Sequence, residues 1–143
     1  MQLPFRIGVV GYNSHIDDTV VEELLHDAIG IIDAGVQGQK IEIVAGLIDA
    51  GTNKVAYRVA ENLGYGTGGV ACSLAEYHPE AYACDWKKII LGSPGVETDA
   101  FVSSIDALVR VGGDEYARQM ARMAQERGVW MVEYDFPWIR SLR

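Results

Sequence analysis

The chain has 143 residues, 49% of them hydrophobic and 22% charged, a balance suited to a single soluble globular domain. Its formal charge of −8 argues against a nucleic-acid backbone or an anionic membrane surface as partner, since both call for an excess of Lys and Arg. No apolar run approaches the ~18 residues of a membrane span, and the first residues lack the basic-then-apolar order of a signal peptide. A cytoplasmic protein is expected.

Apolar runs of strand length alternate with amphipathic segments of helix length. Phe5 to Gly11 is short, β-branched and closed by glycine, and reads as a first strand. From His15 to about Ala34, Ile16, Val20, Val21, Leu24, Leu25, Ala28, Ile31 and Ile32 recur at the three-and-four spacing of one helical face. Asp17 and Asp18 suit the positive end of its dipole. Ile41 to Gly46 is a second strand, and Thr52 to Leu63 a second helix, with Gly64 where a C-cap belongs.

Gly69 to Ser73 reads as a third strand. Glu76 to Trp86 is loop-like or weakly helical, and 87–92, "KKIILG", is a short extended piece. A loop with Ser93, Pro94 and Gly95 leads to a short helix around Asp99–Ser104. Ala107 to Val111 is then a strand, Tyr116 to Arg127 a helix and Val129 to Tyr134 the last strand. A short basic tail follows, with Trp138 as its packing residue. This order requires crossovers between parallel strands. The expected fold is α/β: one Rossmann-like domain over residues 1–143, a doubly wound, mainly parallel sheet with helices on both faces.

In such a sheet, ligands sit beyond the carboxyl ends of the strands, where strand order reverses. Those ends are rich in glycine and small polar residues here. Gly11, Asn13 and Ser14 follow the first strand, Gly51, Thr52 and Asn53 the second, and Gly112 and Gly113 the strand "ALVRV". A helix start offers free N–H donors that suit phosphate or carboxylate, so Thr52 is either a plain N-cap or a cap that also touches an anion. Asp114 and Glu115 neutralise their own helix dipole, which suits a ribose hydroxyl or a cation better than a phosphate. Their plain structural reading is dipole stabilisation by solvated acids.

The succession of a strand, a Gly/Thr-initiated helix, "GGV" before a small-residue strand, and "DALVRVGG" before a helix resembles the SLOG superfamily. That superfamily includes the LOG-type, or lysine-decarboxylase-like, proteins. The resemblance spans roughly residues 5–134 and implies a Rossmann-like nucleotide-binding fold, often dimeric. Active LOG enzymes cleave nucleoside monophosphates at the glycosidic bond and carry a P-G-G-x-G-T-x-x-E turn. Gly112 and Gly113 match its first two glycines, but Val111 stands for Pro, Glu115 for the third Gly, Tyr116 for Thr and Gln119 for Glu. The loss of that Glu removes a charge the reaction uses. The R-K-x-x-M motif has no counterpart either, so the phosphoribohydrolase reaction is not inherited.

Other clusters are weaker. Cys72, His78 and Cys84 are spaced too widely for an ordinary zinc site, and neither a metal nor a cofactor is called for. Two cysteines make no disulfide framework. Ser14 beside His15 would need an orienting acid and an oxyanion hole to act as a nucleophile, and a sequence shows neither. Arg110, a charge inside a strand, must lie on an edge, pair with an acid or reach a ligand.

Three readings follow. The first is binding of a nucleotide or nucleotide-derived molecule, with Gly11, Asn13, Ser14, Gly51, Thr52, Asn53, Gly112 and Gly113 lining the site. The second is a nucleosidase in which Glu115 and Asp114 supply the carboxylates. The third is a non-catalytic interaction protein. A homo-oligomer is implied by the resemblance alone.

Overall fold

The computed structural model describes residues 3–12 and 18–135. The expectations for Asn13, Ser14, His15, Ile16, Asp17 and Trp138 lie outside the described residues. Six strands form one sheet in the order β4-β3-β2-β1-β5-β6. They are β1 (Phe5–Gly11), β2 (Ile41–Ala45), β3 (Gly66–Cys72), β4 (Trp86–Ile90), β5 (Ala107–Val111) and β6 (Trp130–Tyr134). All five pairings are parallel. The chain winds outward from β1 to β4, then returns to place β5 on the other side of β1. Strand order therefore reverses between β1 and β5, where Gly11 stands opposite Val111.

The helices α1 (Asp18–Gly35) and α2 (Gly51–Leu63) cover one face, α4 (Thr98–Ser103) and α5 (Glu115–Glu126) the other, and α3 (Ser73–Glu76) is a single turn after β3. Alternation along the strands feeds both cores, because successive side chains point to opposite faces. Ile7, Val9, Ile43 and Val109 meet Val21, Leu25 and Ile32 of α1 and Val55 and Val59 of α2. Val10, Val44, Val70 and Leu108 meet Phe101 and Val102 of α4 and Met120 and Ala124 of α5. Of the stripe read along the first helix, Val21, Leu25, Ala28 and Ile32 are buried, whereas Ile31 is exposed and Ile29 takes its place in the core. The third strand begins earlier than expected, at Gly66, because its glycines carry no hydrophobic signal. Gly68 is spanned by the indole of Trp86, whose Nε1 donates to Glu42 across two strands (2.9 Å).

Arg110 is buried in β5 and bound by acids rather than by a ligand. Its Nε donates to Glu133 Oε1 at 2.7 Å, its Nη2 to Asp135 at 3.1 Å and its Nη1 to the Gly112 carbonyl at 2.9 Å. No helix among the described residues is long and apolar enough to cross a membrane.

Candidate functional site

A cavity of about 370 Å³ opens beyond the carboxyl ends of β1, β2 and β3, on the face covered by α4 and α5. Val10 and Gly11 form its floor beside the strand-order reversal. Gly46, Leu47 and Ile48 come from the exit of β2, and Val70, Ala71 and Cys72 from the end of β3. Ala75 of α3, Pro94 and Glu97 before α4, Phe101 of α4, and Tyr116, Ala117 and Met120 of α5 complete the walls.

The wall after β2 is held by the segment ahead of β4. Tyr82 N donates to the Leu47 carbonyl (2.7 Å), Asp49 N to the Glu80 carbonyl (2.8 Å), and Ile48 bridges Ala81. Asn53, in the first turn of α2, folds its amide back over Gly46, where a Cβ would lie 2.9 Å from Asn53 Nδ2. That Nδ2 donates to the Ile48 carbonyl at 3.2 Å, and the amide oxygen has no partner among the described residues. Ser73 Oγ accepts from Gly92 N (2.9 Å) and donates to Gly92 O (3.2 Å), closing the end of β3 onto the loop after β4.

Glu97 is the charged side chain of the lining. It is 8% exposed. Oε1 accepts from Gly95 N at 2.9 Å, and Oε2 accepts from the hydroxyl of Tyr116. Tyr116 is 38% exposed over its ring, but its hydroxyl is turned inward onto this carboxylate. Burial, and then the bond to Glu97, push the Tyr116 phenol well above its usual range, so it remains a neutral donor at any ordinary pH. The lining therefore combines an apolar body with a few convergent polar groups, as ligand sites do.

The residues singled out from the sequence divide. Gly11 and Asn53 line the cavity. Gly51, with φ +57°, opens α2 next to the lining residue Ala50. Thr52 is not the N-cap: Ala50 holds that position, without a side-chain cap. Thr52 is 1% exposed and lies behind Gly11, where a Cβ on that glycine would come within 2.7 Å of Thr52 Oγ1. Its hydroxyl is buried without a hydrogen-bond partner among the described residues, and its N–H donates to the Tyr12 carbonyl at 2.8 Å.

Gly112 and Gly113 accommodate the protein's own chain. A Cβ on Gly112 would meet the Tyr12 ring at 2.4 Å, and one on Gly113 would meet Ala117 Cβ at 2.6 Å and the backbone of Gly11 at 3.2 Å. Positive φ at both, +58° and +99°, makes glycine the suitable residue. Thr52, Gly11 and Gly113 thus converge on one rim, but the gap between them is closed by packing. Of these three only Gly11 lines the cavity.

Asp114 is the N-cap of α5, and its carboxylate accepts from Tyr116 N at 3.1 Å and Ala117 N at 3.4 Å. The Glu115 side chain is 70% exposed and pairs with Arg122 at 2.5 Å. Neither lines the cavity. Both take the structural role of acids at a helix start. Glu97 went unremarked in the sequence because it sits in an aperiodic loop. The Gly-Val-Glu spacing that lets its carboxylate cap Gly95 N is its one local sign.

Among the described residues no three His, Cys, Asp or Glu side chains are grouped to hold a metal ion. Cys72 and Cys84 are both free thiols. Burial pushes the Cys84 thiol upward, away from the thiolate, and so against nucleophilic use.

No family model matches the chain, and no curated protein matches it. Solved structures do. The molybdenum cofactor binding protein of Rippkaea orientalis aligns with a TM-score of 0.71 at 17% identity, over 93% of this chain and 77% of that one. The molybdenum cofactor carrier protein of Chlamydomonas reinhardtii aligns with a TM-score of 0.71 at 19% identity, over 93% and 78%. A structural-genomics target, TM1055, aligns with a TM-score of 0.63 at 13% identity, over 89% and 72%. At such identities the likeness is one of fold, and the fold is the Rossmann-like α/β architecture that the order of elements implied.

Proposed function

We propose that this chain binds a nucleotide or a nucleotide-derived ligand, with the heterocyclic end in the cavity beyond β1, β2 and β3. The observation that carries the reading is the cavity itself. Its volume of about 370 Å³ falls within the ~300–1,000 Å³ of small-molecule sites. It lies beside the reversal of strand order, where open parallel sheets take their ligands. Apolar walls suit the faces of a flat ring, while Asn53 and Glu97 supply polar contacts at its edge. Two proteins of similar fold are a binding protein and a carrier protein for molybdenum cofactor, which supports the binding of a small molecule.

Binding without glycosidic cleavage is the favoured form. Asp114 is engaged by helix amides and Glu115 by Arg122, while both oxygens of Glu97 already accept hydrogen bonds. Among the described residues no free carboxylate pair faces the cavity, and retaining or inverting hydrolysis ordinarily uses two.

Thermal unfolding with nucleosides and nucleoside monophosphates tests this. Saturation near 100 times Kd should stabilise the fold by about 2.7 kcal/mol, a rise of several degrees. Ala75→Phe, which fills the cavity from α3, should abolish the rise while the free protein still melts cooperatively. No rise in the wild type at millimolar ligand would overturn the reading, and release of free base would overturn its non-catalytic form.

A further inference from the structure

We infer that Glu97 selects the ligand, receiving a paired N–H edge such as guanine presents and disfavouring rings that turn an acceptor toward it. This deepens the reading above and rests on it.

Glu97 is 8% exposed, and among the described residues the lining includes no Lys, Arg or His to balance it. A carboxylate offers about four acceptor sites. Gly95 N takes one on Oε1, and the Tyr116 hydroxyl one on Oε2. Counting the described residues, one lone pair therefore remains on each oxygen. A buried charge is costly until its hydrogen-bonding capacity is met, so a ligand with two adjacent donors gains most at this place.

The N1–H and exocyclic 2-amino group of guanine are spaced to meet the two oxygens of a carboxylate. Inosine keeps N1–H and lacks the amino group. Adenine offers one donor beside a ring nitrogen lone pair, which would face the carboxylate oxygen unfavourably. A phosphate pressed against Glu97 would meet like charge with no cation among the described lining residues. The ring therefore enters first, and the anionic end stays outside.

Isothermal titration of the full chain with guanosine, inosine and adenosine near neutral pH tests the assignment. The wild type should bind guanosine more tightly than adenosine by about tenfold or more, with inosine between them. Glu97→Gln, whose amide offers one donor and one acceptor, should bring guanosine and adenosine within about twofold of each other. A wild type that binds adenosine as well as guanosine, or a Glu97→Gln protein that keeps the guanosine preference, would overturn the inference and leave the binding function intact. If Glu97→Gln fails to fold, the wild-type order decides. Failure of all three to bind the wild type would overturn both.

Discussion

The hydroxyl of Tyr116 donates to Oε2 of Glu97, tying the first turn of α5 to the loop ahead of α4 inside the cavity. Two segments 19 residues apart in sequence thereby share one buried carboxylate, and the bond sets both the shape of that wall and the direction of its remaining acceptors.

Tyr116→Phe removes this donor and leaves Glu97 with the Gly95 amide. The loss should be about 1–3 kcal/mol, since a buried charged acceptor is deprived of a partner. Urea unfolding near neutral pH measures it. A midpoint indistinguishable from wild type would show that water replaces the hydroxyl at no cost.

Tyrosines make the fold sensitive to alkali. Burial first, and then the hydrogen bond to Asp27, push Tyr134 up to about 12. Tyr57, Tyr82 and Tyr116 are pushed higher still, each chiefly by burial. Unfolded tyrosine titrates near ~10. Below that pH both states hold their phenolic protons and the contribution is complete. Above it the unfolded chain releases protons that the folded chain retains, so stability falls as pH climbs toward the folded values. Melting temperature should show no tyrosine-linked loss up to about pH 9 and decline above about pH 10. The tyrosinate absorbance contributed by these four side chains should then rise together with unfolding. Ionisation of Tyr57, Tyr82, Tyr116 or Tyr134 near ~10 while the fold stays intact would contradict this.

Gly68 and Gly30 make opposite predictions. A Cβ on Gly68 would lie 2.2 Å from the Trp86 ring, so Gly68→Ala must displace an indole that donates to Glu42 and carries the Arg6 guanidinium at 4.2 Å. The cost should be about 1–3 kcal/mol, with a change in tryptophan emission. Gly30 lies in α1 with nothing within 4 Å of an added Cβ, and Gly30→Ala should stabilise by about 0.5–1 kcal/mol. Chemical unfolding of the two variants side by side checks both signs.

Asp114→Ala should cost about 1 kcal/mol through loss of the α5 N-cap. Glu115→Gln should change stability by no more than about 0.5 kcal/mol, because its ion pair with Arg122 is exposed. Ligand-induced thermal shifts should persist in both. A Glu115→Gln protein that has lost them would return that residue to the site.

Much of the architecture was legible in the chain. Val21, Leu25, Ala28 and Ile32 recur at helical spacing because α1 must bury one stripe. "ALVRV" reads as a strand, and all five of its residues are buried. The glycine-rich strand exits lie at the end of the sheet where the cavity opens, and Gly11 and Asn53 line it. Arg110 was open between edge, acid and ligand, and the acids, Glu133 and Asp135, come from a strand and its exit more than twenty residues later.

By itself the sequence determined the alternation of strands and helices, and hence a parallel sheet with small residues gathered at the strand exits. Periodicity is a local property: each element need only bury its own face. Tertiary structure alone decided which small residues face open space and which face the protein. Gly112 makes room for Tyr12, Thr52 turns its hydroxyl behind Gly11, and Glu97, unmarked in an aperiodic loop, becomes the buried charge of the cavity. The reason is that a cavity is the space between elements distant in the chain, and its lining depends on how α4 and α5 pack over β1 and β3 rather than on any one element's pattern.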